Sequence, residues 1–209
     1  MATEKRIKIL TEAEIAELFG PPILSSNDQR FFFTLNDAEL AECNRIRERD
    51  HRCMFVVLLG YFKVKPIMLS PGYHQIKQDL KYVCSEVFPG PGLRPFNLTQ
   101  KARVRIYQRI FKLTGHQRWL NKSHSSALIK DLNEHARAWG QPKFLFDRII
   151  ECLSAQKVAI PGYTVLQDLI SEVVGVTNDQ FVRKLEELIK TNKAVMLSEL
   201  VIGNNSLTL

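Results

Sequence analysis

The stretch TQKARVRIYQRIFKLTG, residues 99–115, decides how the chain is read. Ala102, Ile106, Ile110 and Leu113 recur at helical spacing on one face, while Lys101, Arg105, Gln108 and Lys112 recur on a second. Thr99 stands where an N-cap is needed and Gly115 where a helix stops. A helix with one apolar and one cationic stripe packs by the first and offers the second to a partner.

The same reading extends outward in both directions. Thr11 with Glu14 forms a capping box that opens a short helix stopped by Gly20-Pro21-Pro22. Asn36 caps a helix from Asp37 to about Glu48, and a strongly apolar one follows from about His51 to Val64. Beyond the turn at Ser70-Pro71-Gly72, the residues Ile76, Leu80, Val83, Cys84 and Val87 trace one face of an α-helix. On the other side of the opening stretch, Ser123 or Ser125 starts a helix ending near Trp139-Gly140, and Pro142 starts another with Leu145, Ile149 and Leu153 inward. Two further capping boxes, Thr164 with Gln167 and Thr177 with Gln180, predict two last helices. The expected class is all-α, with Val158 to Ile160 too short for a sheet.

Pro89-Gly90-Pro91-Gly92 is the sharpest break. It divides the chain into a first helical module over residues 1–90, a second and more basic one over 91–160, and a helical remainder over 161–209. A buried helix, a turn and an amphipathic helix recur on both sides of the break, which suggests tandem helix-turn-helix-like modules.

The chain has 209 residues, of which 45% are hydrophobic and 24% charged, which excludes a disordered or fibrous protein. The apolar run from Met54 to Phe62 falls short of the roughly 20 residues a membrane span needs. MATEKRIKIL lacks the apolar core of a secretory signal. No membrane partner is therefore expected, and the expected location is the cytoplasm. Cys43, Cys53, Cys84 and Cys152 lie far apart, without the close pairs of a zinc site, and read as free thiols.

Charge is concentrated rather than spread. From Arg94 to Arg148 there are twelve Lys or Arg against Asp131, Glu134 and Asp147, a net +9 in a chain whose total is +7. Such a field is the footprint of a polyanion-binding surface. On the helix of residues 99–115 the candidate DNA contacts are Thr99, Lys101, Arg105, Gln108 and Lys112. Arg103 and Tyr107 flank the stripe, and Arg109 and His116 extend it; Arg118 and Lys122 continue the basic field. Arg, Lys and Gln are the side chains that contact guanine, phosphates and adenine. In the first module the analogous set is His74, Gln75, Lys77, Gln78 and Lys81, near the start of its amphipathic helix. A second basic cluster, Arg45, Arg47, Arg49 and Arg52, alternates with Glu42, Glu48 and Asp50 and reads as pairing within a helix.

Phosphate-binding, dinucleotide, nucleophile-elbow and zinc-protease motifs are absent from the sequence. Asp79, Asp131, Asp147 and Asp168 show no spacing that gathers them around a metal. The chain is expected to be no catalyst by itself and to need no cofactor.

Several ordered motifs carry a resemblance: Leu10-Thr11 with Phe19-Gly20, Leu59-Gly60-Tyr61-Phe62, the helix from Arg103 through Ile110 to Gly115, and Pro161-Gly162-Tyr163-Thr164-Val165-Leu166. In that order the chain resembles the N-terminal DNA-binding region of transposases of the Tn-three family of replicative class II transposons. The resemblance implies an N-terminal fragment of a longer bacterial, nucleoid-associated protein. Its helical modules would bind double-stranded DNA at the terminal inverted repeats, chiefly through the helices at Thr99 to Leu113 and His74 to Val87. It places metal-dependent catalysis in a distant RNase H-like domain that this sequence does not match. It also implies the start of a dimerisation region from about Pro161, and so a homodimer of the full-length parent. The family pattern would have a His one turn before Ile110, where this chain has Ile106. The competing reading from composition is a non-catalytic helical module whose basic face meets an acidic protein partner.

Overall fold

The computed structural model describes residues 6–91, 93–139 and 141–204, with side chains left undescribed at 121, 122, 134, 135, 137–139 and 193–204. Among them are nine α-helices and no strands: α1 (Glu12–Phe19), α2 (Ser26–Phe33), α3 (Asp37–Asn44), α4 (Arg49–Val64), α5 (Lys77–Tyr82), α6 (Gln100–Thr114), α7 (Asn121–Trp139), α8 (Pro142–Ala155) and α9 (Tyr163–Asn204). The chain is all-α.

Local chemistry sets most of the helix starts. Thr11–Glu14, Ser25–Asp28 and Asn36–Glu39 make reciprocal capping boxes at α1, α2 and α3. Thr99 caps α6 through its hydroxyl, which accepts from the Ala102 N–H at 3.2 Å. Gly115 ends α6 with φ of 70°, in the left-handed region that glycine enters without steric cost.

α4 is the pillar of the fold. Every residue from Cys53 to Phe62 is buried, so this helix is enclosed on all sides, with α2, α3, α5 and α6 packed around it. Gly60 permits the close approach of α2, since a Cβ there would lie 2.5 Å from the Phe33 ring and 3.1 Å from the Phe32 carbonyl oxygen. α7, α8 and α9 pack on one another in the second half.

Buried residues from all three expected modules join a single core cluster. The segment 157–160 stitches it together: the Ile160 N–H donates to the Pro66 carbonyl, while Gln117 exchanges hydrogen bonds with Lys157 and Ala159. The N-terminal segment lies along α9, where Gln167 Nε2 donates to the Ile7 carbonyl at 2.9 Å and Ser171 Oγ accepts from the Ile7 N–H at 3.1 Å. The expected break at Pro89-Gly90-Pro91 is a turn held to α4, with Arg49 donating to the carbonyls of Phe88 and Pro91 at 2.8 and 2.6 Å.

Four helix expectations are corrected, the first at Thr164, which lies inside α9 rather than capping it while its expected box partner Gln167 donates to the Ile7 carbonyl. The face marked by Ile76, Leu80, Val83 and Cys84 is buried, but its winding changes from a 3₁₀ turn at Tyr73–Ile76 through α5 to a π turn at Val83–Val87. Thr177 does not cap a separate helix: its hydroxyl donates to the Val173 carbonyl at 2.9 Å and α9 runs straight through. α3 stops at Asn44 rather than near Glu48, leaving Arg45 to Glu48 as a connection into α4.

Candidate nucleic-acid interface

α6 carries its two faces as its spacing requires. Ile106, Tyr107, Ile110 and Phe111 are buried against α4, and Lys101, Arg105, Gln108 and Lys112 stand exposed. Ile106, in place of a His, is thus a core residue. Tyr107 is corrected from a candidate DNA contact to a core residue: its hydroxyl donates to the Leu69 carbonyl at 2.9 Å, and its ring meets those of Phe62 and Phe111. Burial pushes its phenol well above the ordinary range, keeping it a neutral donor. Arg103 is half-buried and turns toward Ser70 Oγ, which sets the start of α6 beside the turn leading to Tyr73.

Glu42, on α3, organises the other end of this face. Its buried carboxylate accepts from Arg109 at 2.8 Å and Lys112 at 3.2 Å, and from Arg45 one turn along its own segment. Burial alone would raise its pKa, but the hydrogen bonds from Lys112 and Arg109 and the Arg45 charge outweigh that and hold it below the ordinary carboxylate range. One acid thus ties α3 to α6 and fixes three cations in place. Of the expected pairs, Arg45 meets Glu42 from just past the end of α3, while Glu48 is met by His51 rather than by an arginine of the cluster. Arg49 is instead committed to backbone carbonyls, and Arg52 lies over the Phe88 ring at 5.6 Å.

Between the α3–α4 connection and α6 runs a groove of about 250 Å³, lined by Arg47, Glu48 and His51 on one wall and Arg105 and Arg109 on the other. Arg47 was not a candidate contact in the sequence; the fold brings it across from Arg105. Its signal was the cationic cluster itself, whose members do not all find acids.

The first-module set divides differently. His74 and Gln75 lie on the 3₁₀ turn, Lys77, Gln78 and Lys81 on α5, and all five are exposed. Gln75 is already used locally, its Oε1 accepting from the Gly72 N–H at 2.8 Å. Lys77 and Lys81 border a hollow of about 320 Å³ with Tyr73, Ser85 and Gly90. His116 is half-buried, with its ring edge-on to Phe62 at 5.0 Å and Nδ1 at 3.1 Å from Thr114 Oγ1. Arg118 is exposed, and the Lys122 side chain lies outside the described residues.

No group of three or more His, Cys, Asp or Glu among the described residues is arranged to hold a metal ion. No helix among them is long and apolar enough to cross a membrane. The four cysteines are free thiols; Cys53 and Cys84 approach to 3.6 Å in the core, where burial first and the neighbouring thiol second push Cys53 up to about 12.

A family model described as a domain of unknown function, DUF4158, matches residues 9–173. No curated protein and no solved structure matches the chain.

Proposed function

This chain belongs to the DUF4158 family, and we propose that it is a double-stranded-DNA-binding module that recognises the terminal inverted repeats of a transposon. The observation that carries the reading is the exposed stripe of Lys101, Arg105, Gln108 and Lys112 on a helix whose opposite face is locked into the core. A rigidly seated helix presenting Arg and Gln suits the major groove, where Arg pairs with guanine and Gln with adenine. Lys101 and Lys112 are suited to phosphates, and Arg47 across the groove from Arg105 offers a contact to a neighbouring strand. Lys77, Gln78 and Lys81 form a second exposed patch for the same duplex. The target follows from the resemblance to the N-terminal region of Tn-three family transposases. The role assigned to these residues is binding, with no reaction.

Substitution separates reading from anchoring. Arg105→Ala weakens binding to the cognate repeat by about 1–3 kcal/mol, with little change on a scrambled duplex, whereas Lys101→Ala weakens both alike. Equal losses on both duplexes for Arg105→Ala would remove the base-reading role. A folded protein with no duplex affinity at all would instead favour an acidic protein partner for the basic face.

A further inference from the structure

Cys53 and Cys84 are the two thiols that the fold brings together. They stand 31 positions apart in the sequence, yet Sγ meets Sγ at 3.6 Å where the π turn at Val83–Val87 packs against α4. The other two cysteines have different neighbours: Cys43 Sγ lies 3.9 Å from the Arg52 carbonyl oxygen, and Cys152 Sγ lies 3.8 Å from Asp131 Oδ2. Within the pair, access is unequal. Cys84 is 5% exposed and lines the hollow of about 320 Å³ bordered by Tyr73, Lys77, Leu80 and Lys81. Cys53 is fully buried and forms no part of that wall. A molecule of a few atoms entering the hollow therefore meets one sulfur, and the second sulfur is reached only through the first.

We infer that this pair is an oxidation site: Cys84 takes an oxygen from hydrogen peroxide in the hollow, and Cys53 then closes on it to give a Cys53–Cys84 disulfide. In the first step the Cys84 sulfur attacks one peroxide oxygen. An S–O bond forms, the O–O bond breaks, and the thiol proton leaves with the other oxygen as water. In the second step the Cys53 sulfur attacks the Cys84 sulfenic acid. The S–S bond forms, the S–O bond breaks, and the Cys53 proton leaves with the hydroxyl as a second water. Each sulfur gives up one electron and the peroxide takes both, so no further reactant is needed. Burial first and the neighbouring thiol second push Cys53 up to about 12, so near neutral pH it holds the proton that the departing hydroxyl requires. The sulfurs must close from 3.6 Å to the roughly 2.05 Å of a disulfide. The bond ties the π turn to α4 beside Lys77 and Lys81, and by constraining the unfolded chain it raises thermal stability. The inference is independent of the DNA-binding reading.

Hydrogen peroxide added to the fully reduced, folded chain tests the assignment. Free thiols counted after unfolding should fall from four to two, with peptide mapping placing the bond between Cys53 and Cys84 of one chain. The melting temperature should rise, and dithiothreitol should return it to its starting value. Cys53→Ala should stop the reaction after the first step, leaving a sulfenic acid on Cys84 that dimedone captures, whereas Cys84→Ala should leave Cys53 reduced. The mapping uses the unsubstituted chain and so stands whether or not the variants fold. Four intact thiols at a peroxide dose that consumes them all in the urea-unfolded chain would overturn the inference. So would a bridge between any other pair or between two chains, or further oxidation of Cys84 with no bridge formed.

Discussion

α4 and α6 are neighbours in the core, yet their sequences divide the work of the molecule between them. α4 is apolar almost all round from Cys53 to Phe62 and is enclosed by four other helices. α6 is apolar on one side only, and the other side is cationic and open. The first helix has no surface left with which to act. The second is held as firmly through Ile106, Tyr107, Ile110 and Phe111 but spends half its circumference on water. Stability and, on the function proposed above, recognition therefore reside on different side chains of adjacent elements, and substitutions should separate them.

The largest effect is expected inside α4. Phe55 is fully buried, so Phe55→Ala should cost about 3–5 kcal/mol of unfolding free energy in urea denaturation, by lost burial and the cavity left behind. A much smaller loss would mean that α4 is not the pillar. Next comes the tie between α3 and α6: Glu42→Gln should cost about 1–3 kcal/mol by removing charge-assisted hydrogen bonds to Arg109 and Lys112. Because the folded carboxyl titrates below its ordinary 4.5, its stabilisation is present at neutral pH and lost as pH falls from near 4.5 through the lower folded value. The wild-type protein should therefore lose more stability than Glu42→Gln between neutral pH and that acid window. Parallel pH curves would show that Glu42 does not bear this load. The same variant should bind scrambled DNA more tightly, having released Lys112 of the basic stripe together with Arg109 and Arg45.

On the open face of α6 the order reverses. Arg105→Ala should leave stability within about 0.5 kcal/mol while reducing affinity for the cognate duplex. If it unfolds the protein as Phe55→Ala does, the division between the two helices fails. The smallest effect belongs to Tyr107→Phe, which should lose about 1 kcal/mol through the unmet Leu69 carbonyl and leave duplex affinity unchanged. A drop in DNA affinity without loss of stability would return Tyr107 to the interface.

What was legible in the sequence was local. The caps at Thr11, Asn36 and Thr99, the stop at Gly115 and the two faces of α6 depend on residues within one or two turns of each other, and all appear as expected. α2 went unread although Ser25 and Asp28 carry its capping box, because Phe31, Phe32 and Phe33 show no helical alternation. Tyr107 was misplaced because it borders the apolar stripe, and only the Leu69 carbonyl, 38 residues away, decides which side it joins. Long-range pairings left no periodic trace. Glu42 holding Arg109 and Lys112, and residues near Ile7 lying along α9, join positions far apart in the chain. The Thr177 capping box was a true local pattern overridden by helix continuation, since its hydroxyl finds the preceding turn's carbonyl instead.

Fluorescence anisotropy decides whether the open face of α6 reads duplex DNA. A labelled duplex carrying the terminal inverted repeat of a transposon, the target proposed above, would be titrated beside a scrambled duplex at several salt concentrations. Preference for the repeat is expected, with log K falling against log salt at a slope of about −5 for about six neutralised phosphates. Equal, weak binding to both duplexes, or an affinity indifferent to salt, would contradict it.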